Sequence, residues 1–218
     1  MAIAFVGAAE DKTVAGTVLT YAFDATGSNF LYVHFTTLSN THTITSVTYA
    51  GVNMTALQTQ ALAFNPTWRH HGYYLVNPTT GSNNVVITCV AIDFTIRSGC
   101  MGYSGVDTSN PIITSNKYDS DGAGNDVPVS LTTGAAGWWV MSAANPDAVF
   151  VAGTITNTLR CSYSGLSDSA DSNGDVAAQT ANANMSFTGT REGGGVAFAL
   201  RATSSTPKSS NFLLVGVG

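Results

Sequence analysis

The chain has 218 residues, a formal net charge of −5 and only 10% charged side chains beside 44% hydrophobic ones; ordinary soluble domains carry roughly 25% charge. Its eight lysines and arginines are scattered singly, which excludes the clustered cations that a nucleic-acid backbone requires. No apolar run approaches the ~20 residues of a membrane helix, so neither nucleic acid nor membrane is an expected partner.

Hydrophobic residues recur at period two along the chain, and no stretch keeps a 3.6-residue period, which predicts an all-β protein. The opening MAIAFVGAAED lacks the basic segment of a secretory signal and reads as strand. In TVLTYAF, Leu19, Tyr21 and Phe23 share one face, whereas Phe30 to Phe35 is apolar on both faces and predicts a central strand. SVTYAGVNMTAL predicts a hairpin with Val47 and Tyr49 on one arm and Val52 and Met54 on the other, Gly51 supplying the positive φ of the turn. YYLVNPTTGSNNVVITCVAI reads as strand, Asn-Pro loop, strand.

Further on, DVPVSLT aligns Val127, Val129 and Leu131, and Pro128 confines this strand to an edge or a strand start. GWWVMSAA is a buried strand, TITNTLRCSY alternates Ile155, Leu159, Cys161 and Tyr163, and GGGVAFALRA places Val196, Phe198 and Leu200 on one side. About ten to twelve short strands joined by Gly, Pro, Asn and Asp turns predict an antiparallel β-sandwich, jelly-roll-like. The expected organisation is one sandwich domain over 1–202, a linker over 203–211 and an apolar segment over 212–218. That last segment, with Phe212, Leu213, Leu214 and Val215, is either a final strand of the same domain or an assembly arm adding a strand to a neighbouring subunit.

Candidate sites are few. Gly102-Tyr103-Ser104-Gly105 falls one residue short of the G-x-S-x-G elbow of hydrolases, and Tyr163-Ser164-Gly165 with Asp168 echoes it, so Ser104 is expected to end a strand. Of His34, His42, His70 and His71, the adjacent pair faces opposite ways on any strand, and surface or hydrogen-bonded core positions are expected in place of a metal site. Cys89, Cys100 and Cys161 lack C-x-x-C spacing; Cys89 and Cys100 could pair across a hairpin, but an odd count favours buried thiols.

Two acidic loops, one with Asp119, Asp121, Asn125 and Asp126 and the other with Asp168, Asp171, Asn173 and Asp175, offer oxygens to calcium. Neither is an EF-hand, since the twelfth position from Asp119 is Ser130, and turn-forming Asp and Gly are the plain alternative. No other cofactor is expected. For a glycan, stacking aromatics are the useful feature, and Trp68, Tyr73, Tyr74 and Tyr118 are the candidates, with at least one of Trp138 and Trp139 in the core. With only two glutamates, and Asp93 as the one aspartate expected on a sheet face, paired carboxylates for glycoside hydrolysis cannot be assembled.

SVTYAGVNMTAL, YYLVNPTTGSNNVVIT and GYSGVDTSNPI, in that order, resemble an uncharacterised group of β-sandwich proteins of tailed phages and environmental sequences. The resemblance covers residues 1 to 115 and continues more loosely through GWWVMSA and GVAFALRA; related modules also occur inside secreted bacterial proteins. For the phage members it implies a structural role on the capsid or tail. Together with the missing export signal, the low-charge Thr- and Asn-rich composition and the apolar segment beyond a linker, the expectation is a non-enzymatic virion protein, a capsid decoration (cement) or head-fibre subunit, homotrimeric and in contact with the major capsid protein. The alternative is a carbohydrate-binding or adhesion module on a phage tail or in the medium.

Overall fold

The computed structural model describes residues 1–218 except 14–15, 39–42, 63–64, 91–95, 120–123, 146–149, 163–166, 192 and 205–218, with backbone alone at 12–13, 65–66, 124–125 and 188–191. The described residues form seventeen β-strands and no helix. The N-terminal half contains β1 (Ala4–Thr13), β2 (Val18–Asp24), β3 (Phe30–Thr37), β4 (Ile44–Tyr49), β5 (Val52–Asn53), β6 (Thr55–Leu62), β7 (Asn65–Val76), β8 (Ser82–Cys89) and β9 (Ile96–Ser104). The C-terminal half contains β10 (Ile112–Asp119), β11 (Gly124–Thr132), β12 (Gly137–Ala144), β13 (Phe150–Ala152), β14 (Thr158–Cys161), β15 (Asp168–Val176), β16 (Thr180–Arg191) and β17 (Gly194–Leu200).

These strands make four antiparallel sheets with orders β1-β9-β3-β7-β6, β2-β8-β4-β5, β10-β17-β12-β15-β14 and β11-β16-β13. Substituting β10, β11, β12, β13, β14, β15, β16 and β17 for β1, β2, β3, β4, β6, β7, β8 and β9 converts the first pair of sheets into the second, and only the two-residue β5 has no counterpart. The protein is therefore an all-β sandwich fold built twice. Within each half the first strand lies beside the last, and the third lies between the last and the third from last, β3 between β9 and β7 and β12 between β17 and β15, the jelly-roll order.

Three apolar clusters fix the layering. Leu19, Tyr21, Phe23, Val47, Tyr49, Val85 and Ile87 meet Leu31, Val33 and Phe35 inside the first sandwich. Val127, Val129, Leu131, Met185 and Phe187 meet Trp139, Met141 and Ala143 inside the second. The third cluster joins the sandwiches: Phe30, Tyr32, Met101 and Tyr103 face Trp138, Val140, Phe198 and Leu200. The order of layers is outer, inner, inner, outer. The central strands of the inner sheets are then covered on both faces, and β3, β12 and β17 are buried along their whole length. By contrast β2, in an outer sheet, alternates exposed and buried side chains.

The two inner sheets meet about a local twofold. β1 lies against β14 and β6 against β10, and since β1 corresponds to β10 and β6 to β14, each half offers the other the same surface. Fully burying one such aliphatic or aromatic side chain is worth about 1.5–3 kcal/mol, whereas a neutral hydrogen bond nets about 1 kcal/mol. Apolar contact therefore supplies most of the attraction between the halves.

Several local expectations hold. Ala50 and Gly51 both have positive φ, 50° and 78°, between the paired Tyr49 and Val52, as a two-residue hairpin turn requires. Pro128 lies on β11, an edge strand. The strand count is larger than ten to twelve because edge strands such as β6 and β10 are half-polar, and because β15, whose sequence DSADSNGDV reads as an acidic loop, is a strand paired with β12 and β14. Cys89 and Cys100 do not face each other across a hairpin, since β8 and β9 belong to different sheets; all three cysteines are free and buried.

The halves are joined through Asp107 to Pro111, where Asp107 Oδ1 accepts the backbone N–H groups of Ser109 and Asn110, both exposed. Inserting a protease recognition sequence between Ser109 and Asn110 and cutting there should leave one species eluting at the mass of the intact chain in gel filtration. Elution as two fragments would show that the inner faces do not hold the halves together.

Candidate functional site

Polar side chains inside the molecule concentrate where the inner sheets meet. Ser142, on β12, shares its hydroxyl between Tyr32 Oη at 2.7 Å and His70 Nε2 at 2.8 Å, and His70 Nδ1 bonds Thr36 Oγ1 at 2.9 Å. His34 Nδ1 bonds Ser167 Oγ at 2.9 Å, and the His34 and His70 rings lie 6.0 Å apart. The strand period separates His71 from this group: it faces the first sandwich core, stacks on Phe35 with centroids 4.8 Å apart, and bonds Thr37 and Thr59 at 3.2 Å each. His42 lies outside the described residues.

Burial disfavours the imidazolium. It pulls His34 down to about 3 and His71, with help from Arg69, to about 4, and places His70 well below the ordinary value, with His34 and His71 adding to the effect. All three rings are neutral near pH 7. They are the hydrogen-bonded core histidines expected as the alternative to a metal site.

A second group sits at the rim of the same face. Arg160, on β14, grips Asp171 through two bonds, Nε to Oδ2 at 2.9 Å and Nη2 to Oδ1 at 3.0 Å, and its Nη2 also donates to Asn173 Oδ1 at 2.8 Å. Tyr103 donates to Asp171 Oδ2 at 3.1 Å, and the guanidinium lies 3.9 Å over the Phe5 ring. Burial, then the Asp171 carboxylate, pushes the Tyr103 phenol well above its ordinary range. A cavity of about 150 Å³ lined by Ala8, Ala9, Glu10, Arg160 and Cys161 opens beside this group, and Glu10 Oε2 accepts the Ser162 N–H at 3.0 Å. Burial pushes the Cys161 thiol up to about 12, far from a reactive thiolate.

The sequence candidates are distributed as follows. Ser104 is the last residue of β9; its hydroxyl donates to the Ala4 carbonyl at 3.5 Å, and Gly105 follows at φ 73°. The echo at 163–166 lies outside the described residues, and in the duplication the end of β9 corresponds to the end of β17, so the echo does not follow the repeat. Among the acidic candidates, Asp171 is buried in the Arg160 ion pair, Asp175 is exposed, Asp119 and Asp126 are half-buried on β10 and β11, and Asp121 lies outside the described residues. Asp168 is buried and its Oδ2 accepts the Phe150 N–H at 3.2 Å. Asp168, Asp171 and Asp175 thus share one strand, and Asp11, Asp24, Asp119 and Asp126 lie on others, where only Asp93, now outside the described residues, was expected on a sheet. Among the described residues no three His, Cys, Asp or Glu side chains gather as metal ligands would.

The aromatic candidates are not brought together. Tyr73 stacks on Phe35 inside the first sandwich, Tyr74 stacks on Phe30 between the inner sheets, and Tyr118 packs against the second core. Trp68 is half-buried on β7, and Trp138 and Trp139 are both core. Phe212, Leu213, Leu214 and Val215 lie outside the described residues. Asp171 was a calcium candidate, but its pairing with Arg160 escaped the sequence reading because eleven residues separate the two, with no pattern beyond a lone arginine near an acidic run.

No family model matches the chain, and no curated protein matches it. Among solved structures, A223, a turret protein in Sulfolobus turreted icosahedral virus, aligns with 92% of this chain and 99% of its own at 15% identity, with a TM-score of 0.22. A superposition of that quality carries no argument about fold or role.

Two outcomes test the electrostatics. In an unfolded chain the histidines bind protons below their ordinary value of 6.5, whereas folded His34 waits until about 3, so stability should fall as pH drops from 6.5 toward 3. Urea midpoints measured across that range should decline, with a shallower decline in His70→Asn. Arg160→Met leaves the Asp171 carboxylate buried without its cation and should cost about 3–5 kcal/mol in urea unfolding; Arg160→Met combined with Asp171→Asn should recover part of that loss.

Proposed function

We propose that this chain is a non-enzymatic structural subunit of a virion, a capsid decoration (cement) or head-fibre protein of a tailed phage that associates with copies of itself, as a trimer, and with the major capsid protein. The observation that carries this reading is the character of the two outer faces. On the first, the outward positions of β2, β8 and β4 are Val18, Thr20, Ala22, Asn84, Val86, Thr88, Ser46 and Thr48. On the second, β11 and β16 present Pro128, Ser130, Thr132, Thr180, Asn182, Asn184 and Ser186. Apart from Asp24 and Asp126, the described side chains on these faces carry no charge.

Uncharged faces do not repel like surfaces, and surfaces with little net charge associate readily. That property suits a subunit that must lie against many neighbours. The jelly-roll order itself recurs in viral capsid domains as well as lectins, a likeness of fold that raises the prior without fixing the role. Catalysis draws no support, because Tyr32, Ser142 and His70 bond one another inside the molecule and His34 and His71 are buried. A glycan-binding face would need Trp68, Tyr73, Tyr74 and Tyr118 together, and the three tyrosines pack against different clusters.

Peptide mass spectrometry on density-purified particles from the source culture tests the proposal. The expected result is this chain at a stoichiometric ratio to the major capsid protein. Its absence from particles, with the protein found in the medium, would overturn it in favour of a secreted module.

A further inference from the structure

Among the described histidines, His34 alone leaves a ring nitrogen without a partner. His70 bonds Thr36 through Nδ1 and Ser142 through Nε2, and His71 bonds Thr59 through Nδ1 and Thr37 through Nε2. His34 bonds Ser167 through Nδ1, whereas its Nε2, on a fully buried ring, meets no hydrogen-bonding atom among the described residues. Such an exception in an otherwise satisfied interior points to a ligand.

The strand register shows what this nitrogen faces. Glu10 on β1, Gly99 on β9 and His34 on β3 lie in one row across the first inner sheet. A Cβ on Gly99 would come within 2.5 Å of His34 Nε2 and 2.9 Å of Cys161 Sγ, on β14 of the second inner sheet. The nitrogen and the sulfur therefore border the same small gap, which the missing side chain of Gly99 keeps free, and no hydrogen bond joins them. An ion held between an imidazole nitrogen and a thiolate needs bonds of about 2.0 and 2.3 Å, a span of ~4.3 Å, within reach of two atoms that border one point.

The donors select the ion. Soft thiolate ligands favour Cu(I), for which two ligands in line are ordinary coordination, so three gathered side chains, absent among the described residues, are not needed. One thiolate balances one positive charge. A monovalent ion thus leaves the buried site neutral, whereas a divalent ion would leave a costly net charge there. Ser167 Oγ, by accepting the Nδ1 proton, turns the Nε2 lone pair toward the gap, as outer partners of ligating histidines do. Cys161 is also a wall of the 150 Å³ cavity lined by Ala8, Ala9, Glu10 and Arg160. In that cavity Asp171 answers the charge of Arg160, and the Glu10 carboxylate favours entry of a cation.

We propose that His34 Nε2 and Cys161 Sγ form a two-ligand site for a soft monovalent cation of the Cu(I) class. As the S–Cu bond forms, the Cys161 thiol releases its proton to solvent, His34 keeps its Nδ1 proton, and the ion keeps its oxidation state. The site ties β3 of one half to β14 of the other, and it does not rest on the virion reading.

The test titrates the full chain with Cu(I), without oxygen, against a chromophoric chelator. The expected result is one Cu(I) per chain, held at least tenfold more weakly by Cys161→Ser and by His34→Asn, which keeps a polar group for Ser167 and removes Nε2. Zn(II) in excess should leave the Cu(I) bound. X-ray absorption of the Cu(I)-loaded unmutated chain needs no variant to fold, and it should show one sulfur and one nitrogen around the ion. No retention of Cu(I), two sulfurs around it, displacement by Zn(II), or unchanged affinity in Cys161→Ser would each overturn the proposal.

Discussion

The fold depends on one buried surface, the face shared by the two inner sheets. Strands that are covered on one side can alternate apolar and polar residues, and β2 does so. Strands covered on both sides bury every position, as β3, β12 and β17 do, and any polar side chain on them must find a partner inside. Once those strands exist, neither half can stand alone in water without exposing a contiguous apolar face that includes Phe30, Tyr32, Tyr103, Trp138 and Phe198. The duplication of strand order and the local twofold follow, because two copies of one sheet surface can each cover the other.

The polar atoms on that surface serve registration. Apolar packing tolerates sliding, whereas Ser142 can bond Tyr32 and His70 together in only one alignment of the sheets. Satisfied buried polar groups specify a unique arrangement, and unsatisfied ones are costly. Glycines make room for them: a Cβ on Gly99 would lie 2.5 Å from His34 Nε2, and one on Gly72 would lie 2.7 Å from Tyr32 Oη. The ion pair of Arg160 and Asp171 plays the same part at the rim, where Tyr103 and Asn173 complete its hydrogen bonds. With the interior sealed, what the molecule presents to a partner is its outer sheets and their edges. This is why the functional reading rests on surface character and not on a constellation of reactive groups.

Much of this was legible from sequence, and the failures have physical reasons. Alternation exposed the outer strands, and uninterrupted apolar runs marked β3 and β12 as central. The two-residue turn at Ala50 and Gly51 and the edge position of Pro128 followed from backbone chemistry. β15 was missed because its residues are polar; they are strand because Arg160 and Tyr103 answer Asp171, and the Phe150 N–H answers Asp168, partners that the local sequence does not announce. The duplication was missed because it survives in topology without a repeated motif, and the Tyr-Ser-Gly echo pointed to positions that do not correspond. The network around Ser142 joins residues 110 and 72 positions apart, beyond the reach of any spacing rule.

The central claim is that the shared inner face makes the two sandwiches one cooperative body, and equilibrium unfolding tests it most directly. Urea unfolding should be followed by tryptophan fluorescence, which samples Trp138 and Trp139 in the second half and Trp68 in the first, together with exchange protection of β3 and β12. The account predicts a single transition with coincident midpoints for every probe. Two separated transitions, with one sandwich still protected after the other has melted, would contradict it.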